Sequence, residues 1–266
     1  MRFSFANLSK WNYFPFNRLS APKYIFRKIR NIFLPKWKRD ISCNYLIAQG
    51  NYLTHNLNLG TAKLIYSHNL DFDEHIRAID KTKKSRNYAV YIDQLIGEHP
   101  DYKLGSTVVK VENKFQEELA IFFNEIEKRL NLKVKISPHP KRKKLNKKIY
   151  KRKINFKVSS YKLIKNSKLV LGHDSAAISL AIIFKKPIIF IISNSIKNRK
   201  IIDRINQYAK YFKKETLNIS LDFEHLLGKS IFDINENSYN KYHNQFIQHP
   251  RSDGKTISNQ IIKALE

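Results

Sequence analysis

Residues 112–130 carry the clearest periodic signal in the chain. Phe115, Leu119, Phe122, Phe123, Ile126 and Leu130 recur every three or four positions among polar residues, which predicts an amphipathic helix. On either side the apolar positions form short runs closed by turn residues. Residues 44–48, 62–67, 88–93, 133–136, 168–171, 187–192 and 216–219 read in this way as buried strands, and 154–158 as a further one. Between them, 71–80, 160–166, a stretch from Asp174 or Ser175 to Phe184, 197–210 and 255–265 read as helices, the second opened by a Ser cap. Strands alternating with helices predict parallel βαβ units in a doubly wound α/β sheet. Residues 88–266 make one complete Rossmann-like domain in this reading. Residues 41–87 make a partial α/β unit before it, and 1–40 a basic, aromatic N-terminal segment.

Composition narrows the picture. With 42% hydrophobic and 12% aromatic residues, the 266-residue chain is too apolar for a disordered basic tail. Cys43 is the one cysteine, so an intramolecular disulfide is excluded and a cysteine-based zinc cluster is not expected. The apolar runs 176–184 and 187–192 are split by Lys185 and Lys186, and each is far shorter than the roughly 20 residues of a membrane span. No clean signal peptide opens the chain, so a cytoplasmic protein is expected.

The formal net charge of +28 points to anionic partners: nucleic acid, anionic lipid or phosphorylated small molecules. Heavy use of Lys, Asn and Ile, as AT-rich coding would produce, accounts for part of it. Residues 23–39 interleave Lys and Arg with aromatic and aliphatic residues. They read either as an amphipathic helix lying on an anionic membrane surface, peripheral on the inner membrane, or as a helix packed on the domain. The basic run 141–153 is either a solvated loop or an electropositive loop beside a phosphate site.

In open α/β sheets ligands bind beyond the carboxyl ends of the strands, and four predicted strand ends carry His with Ser or Asp. They are Ser67-His68-Asn69-Leu70-Asp71-Phe72-Asp73, then Asp93-Gln94 with Glu98-His99 following. Ser137-Pro138-His139-Pro140 and Gly172-His173-Asp174-Ser175 complete the set. A His held between prolines can donate to a phosphate oxygen, and Ser175 with backbone N–H groups at a helix start is suited to an anion. A strand-end carboxylate such as Asp93 can deprotonate a hydroxyl. Each has a plainer reading: an ordinary loop, an N-cap, or acids at the positive end of a helix. The spacing of His68, Asp71, Asp73 and His75 invites a metal, but neither a metal nor a cofactor is expected.

The order of the pieces KVKISPHPKRK and SSYKLIKNSKLVLGHDSAAISLAIIFKKPIIFI over residues 133–192 resembles the donor-binding half of GT-B glycosyltransferases of bacterial surface polysaccharides. It is similar to HP-motif sialyl-, polysialyl- and Kdo-type transferases using CMP-sugars, and to CDP-glycerol glycerophosphotransferases. The segments IYSHNLDFD, YAVYIDQLIGEHPDY and residues 239–250 look like those of capsule and lipopolysaccharide biosynthesis proteins. The resemblance implies a GT-B-like fold with a shortened N-terminal half. It implies His139 at the nucleotide phosphate, assisting the leaving group, and His173 and Ser175 at the phosphate or a donor carboxylate. Ser137, His68, Asp71, Asp73 and His99 are further substrate-binding candidates. The family's acidic base sits in a motif matched here only by Asp93-Gln94 without the glycine, and Glu98 is its rival.

The expected function is inverting, metal-independent transfer of a sugar or sugar acid from a nucleotide donor to a growing surface glycan, CMP-linked donors being favoured. The expected partners are that donor, an anionic or lipid-linked acceptor, and an anionic membrane surface. Transfer of a polyol phosphate from a CDP-linked donor is the alternative within the class, and an inactive, truncated relative stands beside it. Outside the class stands a non-catalytic basic module for membrane or nucleic acid, although no specific nucleic-acid motif is present.

Overall fold

A computed structural model describes residues 3–5, 44–52, 61–78, 86–99, 109–142, 148–221, 223 and 227–266. The basic stretch 23–39 and the middle of the run 141–153 lie outside the described residues. The chain divides into two compact units, Met1–Ile76 with Asn244–Glu266, and Arg77–His243.

In the first unit, β1 (Phe3–Phe5), β2 (Tyr45–Gln49) and β3 (Lys63–Ser67) form a parallel sheet in the order β1-β2-β3. Leu46, Ile47 and Ala48 are buried, which is what their uninterrupted apolar run predicts. Helix α1 (Leu70–Arg77) follows β3. The sequence reading runs 88–266 as one block, but the last 23 residues, Asn244–Glu266, group with the first unit. Hydrogen bonds explain this: Asn69 N donates to Ile247 O (2.7 Å), His249 N to Ser67 O (2.8 Å), and Asn51 N to Asn244 O (3.0 Å). The final helix (Ile257–Leu265) places Ile257 in a core with Ile47 and Ile65. Gly50, at φ +99°, lies where a Cβ would run into the Gln245 backbone, so glycine permits this close approach.

The second unit is built on five parallel strands: β4 (Tyr88–Ile92), β5 (Lys133–Ser137), β8 (Leu169–Gly172), β9 (Ile188–Ile192) and β10 (Thr216–Asn218). Their spatial order is β10-β9-β8-β4-β5, so the order reverses between β4 and β8. The burial of each strand follows its place. Central β4 and β8 are buried at every position, whereas edge strand β5 alternates and turns Lys133 and Lys135 to solvent.

Helix α2 (Lys114–Leu130) buries Phe115, Leu119, Phe122, Phe123 and Ile126 of the predicted stripe, while Leu130 at its end is half-buried. Helix α3 (Ser160–Asn166) is capped by Ser159, whose side chain accepts from Lys162 N. Helix α4 (Ile178–Ile183) begins later than expected, because residues 175–177 form a turn. Helix α5 (Arg199–Tyr211) is capped by Asn198. It covers β9, with Phe190 near Tyr208 and stacked on Phe212 at 5.8 Å. A 3-10 turn (Lys229–Phe232) and α6 (Glu236–Tyr242) were not visible as periodic segments, and α7 is the final helix already described.

The strand expected at 154–158 is absent. A two-residue hairpin, β6 (Lys148–Ile149) with β7 (Arg152–Lys153), precedes it instead. Asn155 accepts from Lys157 N at 3.0 Å and turns the chain, and none of 154–158 is buried. The alternation is there, but no face of it meets a core.

Candidate functional site

Strand order reverses between β4 and β8, and in open α/β sheets ligands bind beyond the carboxyl ends of the strands at such a switch point. Three of the four predicted strand ends, those of β4, β5 and β8, meet at this edge. The fourth, His68 with Asp71 and Asp73, belongs to the other unit.

Asp93 follows β4 and is buried. Arg142 grips it with a two-pronged contact, Nε to Oδ2 and Nη2 to Oδ1 (2.9 Å). Tyr150 Oη also donates to Oδ1 (3.3 Å), as does Leu95 N (3.2 Å). Arg142 is 3% exposed in its side chain and Asp93 0%, so this is a buried ion pair of the planar, bidentate kind. Both carboxylate oxygens of Asp93, the base candidate of the sequence reading, are occupied, and through Arg142 it anchors the loop. Glu98, 53% exposed, touches Arg142 Nη1 at 3.4 Å. The neighbouring carboxylates hold the guanidinium above its ordinary pKa although burial opposes this, and burial pushes the Tyr150 phenol up. Leu95 has φ +52°, an uncommon conformation for a leucine, and Gly97 has φ +82° in the same tight turn.

His139 stands beyond β5, partly exposed, with its ring edge-to-face on His99 at 4.8 Å between centroids. Lys141 N donates to His139 Nδ1 at 3.1 Å, and Arg142 N donates to His139 O at 2.9 Å. The first bond makes Nδ1 an acceptor, so a neutral ring carries its proton on Nε2. Burial, together with His99, Lys141 and Arg142, lowers the His139 pKa, which favours that neutral ring. The HP turn is thus locked to the end of β4 by Arg142, and it presents an N–H donor.

His173 follows β8 but faces inward. It is completely buried, donates from Nδ1 to Ile191 O (2.7 Å) and accepts from Tyr91 Oη at Nε2 (3.0 Å). Burial lowers its pKa. Both nitrogens are used inside the core, so His173 braces β8 and β9. Ser137 is buried too, donating to Ser160 Oγ at 2.7 Å. Ser175 accepts from Ala177 N (3.3 Å) in the turn before α4. Asp174 is buried, pairs with Arg204 Nε from α5, and accepts from Gln94 Nε2 at 3.3 Å.

In the first unit His68 is fully buried and bonds Asp73 at 3.1 Å, and Asp73 Oδ1 accepts from Ile257 N at 2.7 Å. Burial lowers the His68 pKa against the pull of Asp73. These residues fasten the C-terminal helix, while Asp71 lies in the first turn of α1. Among the described residues no three His, Cys, Asp or Glu are placed to hold a metal ion, and no helix is long and apolar enough to cross a membrane.

Beside the Asp93–Arg142 pair lies an open cleft of about 680 Å³, within the usual size of small-ligand sites. Glu98 and Tyr150 line its near wall, and Lys110, Lys197, Asn113 and Gln116 its other walls. Sequence reasoning missed Arg142, Tyr150 and Arg204. Arg142 is one cation in a basic run and Arg204 one in an amphipathic helix, and nothing local sets either apart.

No protein-family model matches the sequence, and no curated protein matches it. Several solved structures are similar in outline. The S. aureus MnaA–UDP co-structure is 17% identical, with a TM-score of 0.43, covering 84% of this chain and 60% of that one. The spinosyn forosaminyltransferase SpnP is 12% identical, at 0.44, covering 96% and 64%. A variant of the wall teichoic acid polymerase TagF is 13% identical, at 0.44, covering 95% and 62%. The chain therefore spans 60 to 64% of the length of these proteins.

Proposed function

We propose that the second unit binds the nucleotide of an activated sugar donor at the carboxyl edge of its five-stranded sheet, and that the protein is a glycosyltransferase. The observation that carries this reading is His139. It stands partly exposed beside the switch point, with Nδ1 occupied by Lys141 N–H and its loop fixed through Arg142 and Asp93. A neutral imidazole held in this tautomer donates from Nε2 to a phosphate oxygen and stabilises the nucleotide as it departs. The resemblance of residues 133–192 to HP-motif transferases gives that ligand its class.

With Asp93 committed to Arg142, Glu98 takes the role of base. It stands at the rim of the 680 Å³ cleft, where an acceptor hydroxyl would lie. A sugar, a sugar acid and a polyol phosphate all fit the same scheme as the transferred group, and phosphate analysis of the product separates them. A bacterial surface glycan, anionic or lipid-linked, is the acceptor this reading favours, since the +28 charge draws such partners.

Calorimetric titration with CMP, CDP, UDP and ATP at moderately high salt tests the proposal, with His139→Ala as control. Selective binding of one nucleotide family, lost in the variant, is expected. Weak binding of all four, unchanged by the substitution, would remove the donor-site assignment and favour a basic binding module.

A further inference from the structure

One side of the open cleft beside the Asp93–Arg142 pair carries Lys110, Glu112, Asn113 and Gln116, from the chain leading into α2, with Lys197 from the loop after β9. Backbone contacts lock these two segments together. Lys197 N donates to Lys110 O (2.9 Å), Glu112 N donates to Ser195 O (3.0 Å), and Val111 bridges to Ile196. Glu118 of α2 also accepts from Ser193 Oγ (2.6 Å) and Ser195 Oγ (2.9 Å). Ile96, Val109 and Phe115 line the cleft and are themselves buried, which gives it an apolar floor. Most of the charges around it are committed. Glu98 touches Arg142, and Glu112 is paired with Lys197 (2.9 Å) and Lys114 (3.2 Å). Lys110 differs, because its ammonium has no carboxylate partner among the described residues. The side chains of Asn113 and Gln116, three positions apart at the start of α2, likewise make no hydrogen bond among the described residues.

We infer that this cleft is the acceptor subsite and takes a sugar residue bearing an anionic group, a carboxylate or a phosphate, which Lys110 contacts. The inference rests on the transferase reading above and specifies its acceptor. Each part of such a ligand meets a matching surface. A pyranose ring has an apolar face of C–H groups, which suits the floor of Ile96, Val109 and Phe115. Its hydroxyls both donate and accept, as do the carboxamides of Asn113 and Gln116. An ammonium without a counter-ion meets an anion with no ion pair to break first. As a compact point charge it serves carboxylate and phosphate alike. A neutral sugar leaves Lys110 in water, so the expected result is a preference for acidic sugars. The volume of about 680 Å³ suits a small ligand of this kind. Glu98 lines the same cleft, so a saccharide bound there brings its hydroxyls to the base of the proposed reaction.

The test titrates the isotope-labelled intact protein with methyl β-glucuronide, glucose 6-phosphate and methyl β-glucoside at moderately high salt, read by NMR chemical shifts. CMP and CDP binding is measured on the same samples. Lys110→Gln and Gln116→Ala accompany it, with Lys168→Gln, an exposed position at the amino end of β8, as the control for net charge. The acidic sugars are expected to bind about three- to tenfold more tightly than the glucoside, the scale of one solvated charge contact. Lys110→Gln should remove that preference and leave the glucoside and the nucleotides unchanged. Gln116→Ala should weaken all three sugars alike, and Lys168→Gln should change none. A Lys110-dependent preference for one acidic sugar alone supports the site and identifies its anion. No sugar binding, equal affinity for acidic and neutral sugars, or a preference lost equally in Lys168→Gln or kept in Lys110→Gln would overturn the inference. Nucleotide binding that still depends on His139 would then leave the donor site standing. Lost nucleotide affinity in Lys110→Gln would also overturn it, because the cleft would then hold the donor. A Lys110-dependent preference in a protein that binds no nucleotide would overturn the acceptor role.

Discussion

Removing Arg142 tests whether the end of β4 is held by a buried charge pair. The guanidinium is 3% exposed and the Asp93 carboxylate 0%, and the pair is joined at two points. Arg142→Ala leaves Asp93 buried without its counter-charge, a change that costs about 3–5 kcal/mol. At roughly 2–4 °C per kcal/mol for a domain of this size, the melting temperature should fall by about 6–20 °C. Urea unfolding followed by circular dichroism reads the free energy directly. The double variant Asp93→Asn with Arg142→Met should be less damaged than the two single costs added together, because neither partner is then left as a lone buried charge. A loss below about 1 kcal/mol for Arg142→Ala, the range of exposed pairs, would refute the reasoning. So would a double variant whose cost is the plain sum. Nucleotide affinity should fall in the same variant at temperatures where it stays folded, since the Arg142 side chain is what ties the loop carrying His139 to Asp93.

The three histidines His68, His139 and His173 all have lowered pKa values, burial being the first cause in each. The folded protein therefore binds fewer protons than the unfolded chain. Its stability should be intact above about pH 6.5 and decline as pH falls from there through the lower folded values. A urea midpoint no lower at pH 5.5 than at 7.5 would contradict this, and His173→Gln should flatten the slope. Asp73→Ala removes the acceptor of Ile257 N and the partner of His68. Faster hydrogen exchange across residues 257–265 and a loss of about 1–3 kcal/mol are expected, whereas unchanged protection would show that the helix is held by packing alone. Gly97→Ala places a Cβ 2.7 Å from Val111 Cγ2 at φ +82°, so it should destabilise by about 1 kcal/mol or more. Adding Val111→Ala removes the 2.7 Å contact but leaves the Val111 Cβ at 3.1 Å and the backbone strain, so only partial recovery of the urea midpoint fits this account.

How much was legible in the sequence depended on whether the signal was local. Apolar runs and stripes are local, and they located the buried strands and α2 to within a few residues, because burial on a sheet or helix face imposes its own period. Strand ends are equally visible, so His139 and Asp93 could be singled out. Their roles could not. His173 and His139 both follow a strand beside a polar residue, yet one turns into the core and the other outward. Periodicity misread 154–158, because alternation alone does not supply a surface to pack against.

The sequence by itself determined the α/β class, the alternating elements and the set of polar strand ends. Only the tertiary structure decided which of these are buried in pairs and which stay partly exposed at the strand ends. It paired Asp93 with Arg142, 49 positions apart, and Asp174 with Arg204, 30 positions apart. It also returned Asn244–Glu266 to the N-terminal unit through Asp73 and the ends of β2 and β3. A buried charge must find its counter-charge wherever the fold brings one, and the choice is set by three-dimensional proximity and desolvation, which leave no mark in sequence spacing.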